Sequence, residues 1–154
     1  MRTKNQASRD RLYAVLAREG TLGAATLATR VGVSVATLHR LLAEAGSHVV
    51  VAGRARRARY ALRRPLRGNL ADLQLLEIDA DGRASEVGAL ATVYPEGTWL
   101  DLASSGWPVP EASRDGWWMG LSYPFHDMRP QGYMGRQFAR SEHVTLGVPS
   151  DPNA

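Results

Sequence analysis

Apolar positions in the first part of the chain recur at the three- and four-residue spacing of a helix face. Leu12, Val15 and Leu16 fall on one stripe between Ser8, a candidate N-cap, and Gly20, a stop, and predict a first helix. Leu27, Ala28, Gly32, Val33, Leu38 and Leu41 then occupy the positions at which two short helices meeting through a tight turn need apolar or small residues. Ala28 permits close approach, and Gly32 supplies the positive φ of the turn. Ser34 can cap the second of these helices, so the two are expected over Ala24 to Arg30 and from Val35 to near Gly46. Beyond Gly46 the β-branched run Val49 to Val51, a turn at Gly53 and a return run from Arg59 to Leu62 predict a hairpin. Three helices followed by such a hairpin make a winged helix-turn-helix.

Downstream the pattern changes. Pro65 to Leu73 is rich in turn formers and reads as a linker. Strands are expected over Leu73 to Ile78 and Ala84 to Val87 around a turn at Asp79 to Gly82. A second pair is expected over Leu90 to Tyr94 and Thr98 to Leu102 around Pro95-Glu96-Gly97. A short helix over Tyr133 to Ser141 closes the pattern. The predicted class is α+β: a winged helix over residues 1–68, then a small antiparallel β-rich subdomain with a short C-terminal helix over residues 69–154.

Charge changes sign at the same place. Residues 1–68 hold 14 Lys and Arg against 3 Asp and Glu, net +11, whereas residues 69–154 hold 5 against 12, net −7. The first part is built to meet a polyanion, and double-stranded DNA is the expected partner. On the second helix of the motif Leu38, Leu41 and Leu42 face inward, which leaves Ser34, Thr37, His39 and Arg40 as candidate contacts in a major groove. Arg54, Arg56, Arg57 and Arg59 on the hairpin are the candidate phosphate contacts. Arginine suits that role because its planar fork matches phosphate. A palindromic operator would require a homodimer.

With no cysteine there is neither a disulfide framework nor a thiolate metal site, and no metal or other cofactor is expected. No apolar run approaches membrane-spanning length and no secretory segment is legible, so the expected setting is the cytoplasm, on the nucleoid. Catalysis is not expected either. Phosphoryl transfer needs a phosphate-cradling loop, a lysine, a Mg²⁺-binding group and a base, and Lys4 is the single lysine of the chain.

Aromatic residues concentrate in the second part, at Trp99, Trp107, Trp117, Trp118, Tyr123, Phe125, Tyr133 and Phe138. Among them runs Asp127-Met128-Arg129-Pro130-Gln131-Gly132-Tyr133-Met134-Gly135-Arg136, preceded by Gly120-Leu121-Ser122-Tyr123-Pro124-Phe125. These stretches resemble the region just ahead of the kinase core in HipA-type serine/threonine kinases, the toxins of bacterial toxin-antitoxin systems. Within that family they are most similar to the YjjJ (HipH) branch, which carries an N-terminal winged helix. The resemblance implies a second domain like HipS, a separate antitoxin protein in a split relative, and a HipA-type kinase core, in cis or in trans, as partner. Arg129, Pro130, Gln131, Gly132, Tyr133 and Arg136 are then the expected docking residues. The family's kinase core lies C-terminal to this region, whereas this sequence stops at Ala154, so a non-catalytic regulator is expected. The alternative is an ordinary winged-helix transcription regulator whose second domain senses a small ligand through an aromatic pocket.

Overall fold

Helix α1 (Arg2–Glu19) starts well before Ser8, where the sequence pattern alone places the cap. No glycine or proline interrupts the segment, and Gln6 bridges the turn by donating to Asp10 (3.1 Å) and accepting from Arg9 (2.7 Å). The computed structural model describes residues 2–103, 105–125 and 132–146. They fall in two compact units, Met1–Gly120 and Leu121–Ala154.

In the first unit α1 lays Leu12, Val15 and Leu16 against Leu27, Ala28 and Val31 of α2 (Ala24–Val31) and Leu38, Leu41 and Ala45 of α3 (Val35–Ala45). Helix α2 ends at Gly32 in the left-handed region (φ 76°), and the Gly32 N–H donates to the carbonyls of Ala28 (2.9 Å) and Thr29 (3.2 Å). The helical spacing therefore predicts this corner correctly.

Strands β2 (Val49–Ala52) and β3 (Arg59–Leu62) form the expected hairpin, pairing Val49 with Leu62 and Ala52 with Arg59. A two-residue strand β1 (Leu22–Gly23), too short to leave a periodic trace, pairs with the other edge of β3 and makes the order β1-β3-β2. Tyr60 of β3 closes the helical core from the sheet side.

The second sheet is antiparallel with the order β4-β5-β6-β7: β4 (Leu73–Ile78), β5 (Ala84–Val93), β6 (Gly97–Trp99) and β7 (Trp117–Met119). Two expectations are corrected here. The runs Ala84 to Val87 and Leu90 to Tyr94 are one continuous strand, with a bulge opposite Leu75/Leu76. Gly88 lies within this strand, where a Cβ would stand 3.3 Å from both the Asp101 carbonyl and Leu100 Cδ1, so the glycine serves close approach. Strand β6 is shorter than the expected Thr98 to Leu102, and β7 had no counterpart in the pattern.

The two sheets are stitched together. Tyr94 N–H donates to the Leu62 carbonyl and Arg64 N–H to the Thr92 carbonyl, both at 2.9 Å. Val50, Ala52 and Ala61 of the hairpin share one buried cluster with Ala91, Val93 and Trp117, and Trp99 packs against it. Gly68 lies inside this unit, within a tight turn in which Leu66 and Asn69 exchange both backbone hydrogen bonds at 2.9 Å.

In the second unit, α4 (Gly132–Leu146) is longer at both ends than the expected Tyr133 to Ser141.

Candidate nucleic-acid interface

Helix α3 is held at its start by Ser34, whose Oγ accepts the Thr37 N–H (3.2 Å) and lies 2.9 Å from Thr37 Oγ1. This pair fixes the first turn while Leu38, Leu41 and Ala45 fix the buried face. Val35, Ala36, His39 and Arg40 are consequently turned to solvent, with Thr37 half-buried. Arg40 Nε is 4.0 Å from Glu44 Oε1, an exposed contact worth only a few tenths of a kcal/mol (about 0.3). It leaves Arg40 free to move to a better partner.

The hairpin tip begins after the Ala52–Arg59 pair. Gly53 adopts φ 84°, and a Cβ there would lie 2.6 Å from the Arg57 carbonyl oxygen, so no side chain fits. The tip then closes as a 3₁₀ turn, Ala55–Arg57, with Arg57 N–H donating to the Arg54 carbonyl and Ala58 N–H to the Ala55 carbonyl, both at 3.1 Å. Ala58 is buried beneath the turn, and Arg54, Arg56 and Arg57 are exposed above it. Among the described residues none of these three guanidiniums is ion-paired.

Three arginines outside the tip meet carboxylates. Arg63 pairs with Asp72 and also donates to the Leu70 carbonyl (3.4 Å). Arg59 Nη1 stands 3.8 Å from Asp115 Oδ2. On α2, Arg30 reaches Glu19 Oε2 at 3.1 Å, and the Glu19 carboxyl lies below its ordinary range through the hydrogen bond from Arg18 and the charge of Arg30. The carboxylates of Asp72 and Asp115 come from the acidic part of the chain. Residue-by-residue reading of the basic part could not find them; the opposite signs of the two parts were the available signal.

Of the expected docking residues, Arg129, Pro130 and Gln131 lie outside the described residues. Gly132 and Tyr133 are the first two positions of α4, and Arg136 is exposed on it. Among the described residues, no cluster of three or more His, Asp or Glu is placed to hold a metal ion, and no helix is long and apolar enough to cross a membrane.

A family model described as the YjjJ-like toxin, middle domain, matches residues 69–154. The chain belongs to this family. Toxin YjjJ of Escherichia coli (strain K12) is 32% identical over 133 residues, which are 86% of this chain and 28% of that protein. The chain thus spans little more than a quarter of the length of the curated relative it matches. No solved structure matches it. The YjjJ-like middle domain begins at Asn69, where net charge changes sign, and takes in β4 to β7 and α4. The exposed face of α3 and the arginine tip both precede it.

Proposed function

We propose that the chain is a non-catalytic, DNA-binding regulator in a HipA-type toxin-antitoxin system. On this reading residues 1–68 form a winged helix-turn-helix. Helix α3 enters a major groove, where His39 and Arg40 donate to base edges and Ser34 and Thr37 approach the backbone. The wing lays Arg54, Arg56 and Arg57 on phosphates. Residues 69–154 are the HipS-like part, and Arg129, Pro130, Gln131, Gly132, Tyr133 and Arg136 dock on a HipA-type kinase core in cis or in trans, restraining it. A palindromic site would bring two copies together, on the nucleoid.

The observation that carries this reading is the set of three exposed, unpaired guanidiniums on a turn that Gly53 keeps tight. Surface arginines without carboxylate partners on one short loop repel each other and gain from a polyanion. The small-ligand alternative is less well supported, because Trp117 is buried against the hairpin and Trp99 meets it edge-on at 6.5 Å, so these rings are packing rather than lining an open pocket.

Fluorescence anisotropy with a labelled duplex across a salt series tests the reading. The parent should lose affinity steeply with salt, and Arg56→Ala with Arg57→Ala should reduce the slope of log K against log salt by about one to two units. An affinity indifferent to salt refutes phosphate contact by the wing.

A further inference from the structure

Seven arginines lie between Arg54 and Arg67, yet the structure sorts them. The three at the tip meet no carboxylate among the described residues, whereas Arg59, the first residue of β3, faces Asp115, which lies just ahead of β7. Asp115 is held in place. Its Oδ1 accepts the Trp117 N–H (3.3 Å) and its backbone carbonyl accepts the Trp99 indole N–H (3.3 Å). Next to it Gly116 adopts φ 81°, and a Cβ there would stand 2.7 Å from Trp99 Nε1, so the backbone passes under the Trp99 indole in a form that only glycine permits. Trp117 in turn packs into the cluster that holds Val50, Ala52 and Ala61 of the hairpin. With one carboxylate oxygen tied to its own strand, the other is left facing Arg59.

Arg59 is equally constrained at its backbone. It sits on the central strand of its sheet, paired with Ala52 on one side and Gly23 on the other. Both groups are about half exposed, with side-chain exposures of 52% and 48%. A half-exposed contact of this kind is weak, so it competes with phosphate instead of excluding it.

Resting on the DNA reading above, we propose that Asp115, a middle-domain residue, sets the affinity of the wing by holding Arg59 back from the DNA backbone. The wing then engages phosphate with three arginines while Asp115 is charged and free, and with four when Asp115 is neutralised or taken by another partner. DNA affinity is in this way placed under the control of a residue outside the DNA-binding part.

A two-residue cycle tests this. The parent, Asp115→Asn, Arg59→Gln and the double variant are titrated with a random-sequence duplex at several salt concentrations. Asparagine keeps an oxygen for the Trp117 amide and removes only the charge, and melting curves verify that each variant is folded. Asp115→Asn should steepen the salt slope by about one unit, so that affinity falls about threefold further than the parent's between about 50 and about 200 mM salt. Arg59→Gln alone should change the slope by less than about half a unit, and the double variant should return to the parental slope. Equal steepening with and without Arg59 shows that Asp115 acts only as a distant negative charge and overturns the proposal, as does an unchanged slope in Asp115→Asn. A parent with no affinity for any duplex removes the DNA reading and this inference with it. A parent that binds while the cycle is additive removes this inference alone.

Discussion

Replacing Trp117 by alanine alters a residue of the acidic middle domain, yet its strongest effect should appear in the helices of the basic part. Trp117 is 8% exposed and shares one cluster with Val50, Ala52 and Ala61 of the hairpin and with Ala91 and Val93 of β5. Truncating a buried aromatic to alanine costs about 3 to 5 kcal/mol. Part of that is returned, because the Trp117 indole N–H is buried without a partner and its removal relieves roughly 1 kcal/mol. The net loss is about 2 to 4 kcal/mol, which for a unit the size of Met1–Gly120 lowers the melting temperature by roughly 10 °C. Thermal unfolding followed by far-ultraviolet circular dichroism reports on the helices, of which α1, α2 and α3 belong to this unit and none contains Trp117. If the cluster couples the two sheets, the helical signal melts early in a single transition. A helical transition at the parental temperature, with only the aromatic signal moving, would show that hairpin and middle sheet unfold independently and that their contact contributes little.

Two further outcomes follow from particular residues. Ser34→Ala removes the acceptor of the Thr37 N–H and should cost about 1 kcal/mol of stability by denaturant titration, with Ser34→Asp recovering most of it. Arg129→Ala together with Tyr133→Ala should weaken capture of a co-expressed HipA-type kinase core by at least about 2 kcal/mol while leaving the melting temperature nearly unchanged; early melting with normal capture would make the segment scaffold.

The helical part was legible because each of its decisions is local. Gly32, Ser34 and the 3.6-residue stripe act within a few positions of one another, and all three appear in the structure as the spacing predicts. The sheet part was less so. Strand β1 is two residues long, Gly88 resembles a turn glycine but answers to Leu100 and Asp101, and β7 is recognised by its partner Gly97–Trp99 rather than by any alternation of its own. Such features depend on residues distant in the chain. The same holds for the interface: exposure of Arg54, Arg56 and Arg57 follows from Gly53 and a local turn, but the engagement of Arg59 and Arg63 depends on Asp115 and Asp72. A count of arginines in sequence cannot separate a guanidinium available to phosphate from one already answered by a carboxylate.

Shared packing also constrains how regulation can work. The hairpin buries Val50, Ala52 and Ala61 against the middle sheet and is hydrogen-bonded to β5 through Leu62 and Arg64. Under the proposed function, a kinase core that binds the middle domain and shifts β5 or β7 must therefore work against the same contacts that hold the wing. Linkage then requires symmetry: whatever factor kinase binding applies to DNA affinity, DNA applies to kinase affinity. An interaction that moves neither strand nor Asp115 has no differential contact with the wing and cannot change DNA binding, however tight it is. Coupling is thus expected from partners that reach the Trp117 edge of the middle sheet or the seam where Leu62 and Arg64 meet β5.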